Sequence, residues 1–183
     1  NTAIGLLPRH VGAREAIAAA IGACRDDIAF TGGGTEAAQA PLRGSFLADG
    51  RLCILVSRIE HDAVEALASD GDDYKWFVAS NGVVDLDSLK TDVETVVRLG
   101  LRPIVSLMLV NNETGVIQPV AEAAEIVHKA GGLIHCDAIQ ALGKIPVSII
   151  DLDVDYLSLS AHKIGGPQGM GAFYVKPGAS FSA

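Results

Sequence analysis

Short, almost wholly apolar runs alternate along this chain with longer stretches of helical pattern, and that alternation restricts the fold more than any other feature. The apolar runs read as strands near Ile28–Thr31, Leu52–Ser57, Tyr74–Val78, Ile104–Val110, Leu133–Cys136, Tyr156–Leu159 and Ala172–Val175. Several are nearly continuous in apolar residues, as expected for strands covered on both faces. Helical stretches fall at Ala13–Ala23, Thr35–Ala48, Asp62–Ala68, Asp87–Leu99 and Pro119–Ala130. Pro119 suits a first helical turn, and Gly131-Gly132 suits a helix end. Such alternation predicts an α/β fold, a mostly parallel seven-stranded sheet with helices on both faces. The segment from Ala161 to Gly171 has no room for a crossover helix, so the last strand is expected to enter antiparallel.

Bulk properties narrow the class further. With 183 residues, 49% of them hydrophobic and 20% charged, residues 1–183 suit one compact domain and not a disordered segment. The net charge of −8 argues against a nucleic-acid partner, though not against a local anion site built from backbone N–H groups. Cys24, Cys53 and Cys136 are odd in number and widely spaced, which predicts reduced, mostly buried thiols in a cytoplasmic protein. Apolar runs such as Ile104–Val110 are too short to span a bilayer, and no secretory pattern opens the sequence. The chain begins without an obvious first element and stops soon after a strand; the expectation is a fragment, or a shortened relative of a longer protein.

Three strings carry chemistry. In Thr31-Gly32-Gly33-Gly34-Thr35-Glu36-Ala37 a strand ends, glycines turn, and a helix begins at Thr35 with a hydroxyl at its cap. Glycines let backbone approach an anion, and a helix N-terminus aims N–H groups at it. The same string also fits a plain tight turn, or, with Glu60 after the next strand, a dinucleotide fingerprint. The second string, His135-Cys136-Asp137-Ala138-Ile139-Gln140, closes a strand at the edge where α/β sheets bind ligands. Neighbours on a strand point to opposite faces, so these three side chains converge poorly on a metal, and no metal site is expected. His135 and Cys136 read as structural. Asp137 could hold a cofactor's ring nitrogen protonated. In the third string, Ser160-Ala161-His162-Lys163, a lysine sits just past an apolar strand. It is either a solvated loop residue or a desolvated Schiff-base nucleophile.

Together with Glu60-His61 and Val110-Asn111-Asn112-Glu113-Thr114-Gly115, these strings resemble the cysteine desulfurases of the class V aminotransferase group. The match runs in order from about Ala29 to Val175 and is most specific in the string Ser160–Gly171. The resemblance implies a large domain of the fold-type-I pyridoxal-phosphate kind and pyridoxal 5'-phosphate as cofactor. Lys163 would carry the cofactor and move protons, and His61 would stack on its ring and help in the acid–base steps. Asp137 would bond the ring nitrogen, Gln140 the phenolic oxygen, and Asn112 would lie near both cofactor and substrate. Gly34, Thr35, Ser160 and His162 would hold the phosphate. The implied reaction turns L-cysteine into alanine and an enzyme persulfide, in a homodimer that passes sulfur to an acceptor protein for iron–sulfur cluster assembly. A related lyase or aminotransferase, or an inactive fragment serving as a binding module, are the alternatives. The sequence departs from the family pattern where the persulfide cysteine, the small C-terminal domain and the usual N-terminal segment would stand. Pro41 is also expected to kink the helix after the glycine string.

Overall fold

The computed structural model describes residues 3–68, 75–77 and 79–182, with no account of side chains at 3–11, 68, 75–77 and 79–80. Among the described residues nine strands and six α-helices follow one another: α1 (Ala3–Ile21), β1 (Ile28–Thr31), α2 (Gly34–Ala48), β2 (Leu52–Ser57), α3 (Asp62–Ala68), β3 (Lys75–Phe77), β4 (Ala79–Ser80), β5 (Val83–Val84), α4 (Leu86–Arg98), β6 (Arg102–Met108), α5 (Val120–Lys129), β7 (Leu133–Asp137), α6 (Ile149–Leu152), β8 (Tyr156–Ser160) and β9 (Gly171–Val175). Seven strands form one sheet in the order β1-β9-β8-β7-β6-β2-β3. β2, β3, β6, β7 and β8 pair in parallel, while β9 lies antiparallel between β8 and β1. The reversal has the expected cause. Residues 161–170 make only a short loop, closed by Ala161 N–H donating to the Met170 carbonyl at 3.0 Å.

Alternation along the strands splits the core into two layers. Cys53, Leu55, Val105, Leu107, Ile134, Cys136 and Leu157 face α1, α4 and α5. Leu52, Ile54, Val56, Ile104, Leu133 and Tyr156 face α2 and α3. Helix starts are set locally. Asp85 accepts from the N–H groups of Asp87 and Ser88 to cap α4, and Ser148 accepts from Asp151 N–H to cap α6. Among the described residues no helix is long and apolar enough to cross a membrane.

Several sequence expectations need correction. α1 reaches back to Ala3, well before the helix expected from Ala13; the helix-disfavouring residues Gly5, Pro8 and Gly12 hid its start. β6 runs from Arg102 to Met108, and Val110 leaves it to bridge Ile117. α2 begins at Gly34 with Gly33 at the cap, which places Thr35 inside the first turn. Its end at Ala48, with Pro41 inside, is where the sequence placed it. Of the strand expected at Tyr74–Val78, the two end residues lie outside the described residues. The hairpin of β4 and β5 went unread, although Asn81-Gly82, both at positive φ (53° and 79°), is a strong turn signal.

Candidate functional site

The C-terminal ends of β6, β7 and β8 and the N-terminus of α2 surround a cleft of about 150 Å³. Gly34, Thr35, His61, Asn112, Asp137, Gln140, His162 and Lys163 line it, with Ala38, Met108 and Ile139 among its apolar walls. Eight of the nine residues singled out from the sequence therefore meet in one place. The ninth, Ser160, is buried under the glycine turn instead of on the cleft surface. A Cβ added at Gly34 would stand 3.0 Å from Ser160 Cβ and Oγ and 3.1 Å from Ile139 Cδ1. Glycine is thus what lets the first turn of α2 settle onto β8.

Local bonds fix the glycine turn. Thr31 Oγ1 donates to the Gly33 carbonyl at 2.9 Å, and Glu36 accepts from Gly32 N–H at 2.7 Å. The first turn of any helix leaves its N–H groups without helical acceptors, so Gly34 and Thr35 offer donors to an anion. Across the cleft, Ser160 Oγ and His162 Nδ1 lie 2.8 Å apart. Lys163 sits on the 3-10 turn Ala161–Ile164 and is exposed.

The floor is electrostatically unusual. Burial pushes the Asp137 carboxyl up to about 6, while the Ile139 N–H (2.9 Å) and the nearby His61 pull it back down. A cationic partner would favour its charged form further. Behind it, Glu60 is driven up to about 8 by burial and then by the charge of Asp137. Its Oε1 accepts from Ser57 Oγ at 2.8 Å and Met108 N–H at 2.6 Å, while Oε2 is buried with no partner among the described residues. From the sequence, Glu60 stands out only as the acid of a possible dinucleotide fingerprint and as the neighbour of His61; nothing there marks it as buried.

The remaining side chains fall into clear roles. His61 Nδ1 accepts from Ala63 N–H at 3.1 Å, so a neutral His61 carries its proton on Nε2. Gln140 Oε1 accepts from Lys144 Nζ at 2.8 Å, which leaves the amide N–H₂ as the donor it can offer a ligand. Of the asparagine pair, Asn111 is structural: it accepts from Glu113 and Thr114 N–H and donates to the Ile59 carbonyl. Asn112 is the exposed member on the cleft. His135 is wholly buried between Ser106 and Ser158, and burial pushes it down to about 3. Cys53 and Cys136 are buried and Cys24 is exposed.

A lysine just past a parallel strand, a buried carboxylate one strand away and a glycine-opened helix over the same cleft define the α/β enzymes of the fold-type-I pyridoxal-phosphate kind. Within them the chain belongs to the aminotransferase class-V family, which it matches over residues 9–181. That family is pyridoxal-phosphate dependent. A cysteine desulfurase of Cereibacter sphaeroides is 43% identical over 176 residues, which cover 93% of this chain and 45% of the relative. A probable mitochondrial cysteine desulfurase of Dictyostelium discoideum is 38% identical over 171 residues, 90% of this chain and 37% of the relative. The solved structure of a NifS-like protein superposes with a TM-score of 0.87 at 36% identity, covering 99% of this chain and 51% of that one. One titled SspA in complex with cysteine gives 0.78 at 29% identity over 94% of this chain and 50% of that one. The chain thus spans about half the length of the curated relatives it matches.

Proposed function

We propose that this chain is the cofactor-binding core of a pyridoxal-phosphate-dependent cysteine desulfurase, acting on L-cysteine in a homodimer and passing sulfur to an acceptor protein. What supports the reading is the cleft itself, in which side chains from well-separated segments meet in the combination the cofactor requires. The fit is chemical as well as spatial. Gly34 lets the first turn of α2 pack closely on Ser160 and Ile139, Asp137 is a buried carboxyl with room to gain from a cation, and Gln140 retains a donor.

When bound, the cofactor supplies an electron sink for negative charge at the substrate's α-carbon. The N–H groups of Gly34 and Thr35, with His162, would hold its phosphate, and Ser160, bonded to His162 Nδ1, would set that ring's orientation from beneath. Asp137 would keep a proton on the ring nitrogen, and Gln140 would donate to the phenolic oxygen. His61 would pack on the ring, with Asn112 beside the substrate. Lys163 would hold the cofactor covalently and carry protons to and from the α-carbon.

Incubation of the cofactor-loaded protein with L-cysteine in deuterated water tests this. Solvent deuterium should enter the α-position of recovered cysteine, and any product should be alanine. A keto acid product would assign an aminotransferase instead, and no exchange with any amino acid would overturn the reading.

A further inference from the structure

Helix α2 contains a proline at a position where a helix needs a donor. Each helical carbonyl accepts from the N–H four residues on, and Pro41 has none to give to Ala37. Ala37 is fully buried, so water does not replace the missing bond. The replacement comes from 121 residues away: Ser158 Oγ, on β8, donates to the Ala37 carbonyl at 2.9 Å.

That single bond fixes the direction of every proton behind it. Having spent its proton on Ala37, the Ser158 hydroxyl must accept from His135 Nε2. A neutral imidazole has one N–H, so His135 Nδ1 is the acceptor, and Ser106 Oγ, 2.8 Å away, donates to it. The order is Ser106 O–H to His135 Nδ1, His135 Nε2–H to Ser158 Oγ, and Ser158 O–H to the Ala37 carbonyl. All four residues are wholly buried. Burial also keeps His135 neutral over the physiological range.

The location ties this chain of bonds to the cleft. Side chains two apart on a strand share a face. Ser106, His135 and Ser158 therefore lie one step behind Met108, Asp137 and Ser160, on the face that α2 covers. β6 and β7 pair Ser106 with His135 and Met108 with Asp137, which sets both layers in register.

We propose that Ser106, His135 and Ser158 are positioning residues: a buried relay of fixed proton direction that replaces the bond Pro41 cannot make and so seats the first turn of α2 over the cleft. The seating is a property of the fold. Its use in holding a phosphate rests on the function proposed above.

The test is a double-mutant cycle of Ser158→Ala and Pro41→Ala, with nitrogen-15 spectra of the histidine rings and backbone amides. In the unmodified protein His135 should carry its proton on Nε2, with Nδ1 bare, at pH 6–8. A proton on Nδ1 overturns the relay without any variant having to fold. Ser158→Ala should lower the folding equilibrium constant about tenfold to a hundredfold, the usual effect of orphaning a buried carbonyl. It should also shift the Gly34 and Thr35 amide signals. Pro41→Ala restores an N–H for Ala37, so it should help about tenfold more in the Ser158→Ala background than alone and return those amide signals toward their original positions. The general gain of alanine over proline in a helix is present in both backgrounds and cancels. Additive effects overturn the proposal. Pyridoxal phosphate titrated into the same four proteins separates the two readings. Binding that weakens in Ser158→Ala and recovers in the double variant extends the relay to the site. Failure to bind any of them, with coupling and tautomer as stated, supports the relay and removes the cofactor function.

Discussion

Replacing Glu60 by glutamine should change how stability depends on pH. Glu60 is 7% exposed, and its native value of about 8 stands far above the ordinary 4.5. A group whose native value is raised contributes stability fully below its unfolded value, and that stability drains away as pH rises through the native value. For Glu60 the window is pH 4.5 to 8. Between pH 5 and 8, at about 1.36 kcal/mol per unit, the loss attributable to this one side chain is roughly 3 kcal/mol. Glu60→Gln removes the titration. Its amide oxygen still accepts from Ser57 Oγ and Met108 N–H. The new amide N–H₂ brings an offset of its own, but that offset is constant with pH and cancels when two pH values are compared. Asp137 and His135 titrate in both proteins and drop out to first order. Urea unfolding at pH 5, 6, 7 and 8 measures the difference. The stability of the unmodified protein relative to the variant should fall by about 3 kcal/mol from pH 5 to 8. Parallel profiles would mean that Glu60 ionises freely in the native state and that the cleft floor is wetter than its geometry indicates.

Other perturbations give equally direct outcomes. Asp137→Asn should leave the fold intact while suppressing α-proton exchange of L-cysteine; normal exchange in that variant would remove Asp137 from the chemistry. Gly171→Ala brings a Cβ to 2.3 Å from the Gly33 carbonyl oxygen, so it should destabilise by ~3 kcal/mol in urea unfolding. Gly34→Ala meets side chains only, at 3.0 Å, and should cost about 1 kcal/mol while weakening pyridoxal-phosphate binding about tenfold. With cofactor and L-cysteine and no added reductant, no persulfide should accumulate on this chain's own thiols. Cys53 and Cys136 are 2% and 0% exposed, and burial pushes the Cys136 thiol well up, away from the reactive thiolate. A persulfide lost in Cys24→Ser would contradict this.

Much of this architecture is legible in the sequence because its strands are short apolar runs with sharp ends. β1, β2 and α3 begin and end where the pattern places them, and the loop from Ala161 to Met170 is too short for anything but a reversal. The candidate site was legible because its residues cluster in strings at strand ends, where the fold gathers them. What escaped had weaker or non-local signals. A single helical turn such as α6 shows no periodicity, and only Ser148 marks its start. The partners of His135 lie 29 and 23 residues away, and only the register of three strands brings them together. Glu60 was legible only as a possible dinucleotide-fingerprint acid and a neighbour of His61. Its high proton affinity comes from burial and from Asp137, neither of which a sequence displays.

The central claim is that Lys163 carries the cofactor. Pyridoxal phosphate added to the protein, reduced with borohydride and followed by peptide mapping in a mass spectrometer tests it most directly. The reduced adduct should fall on the peptide containing Ser160-Ala161-His162-Lys163 and vanish in Lys163→Ala. An adduct on Lys144, Lys176 or any other lysine, or one that persists in Lys163→Ala, would contradict the account.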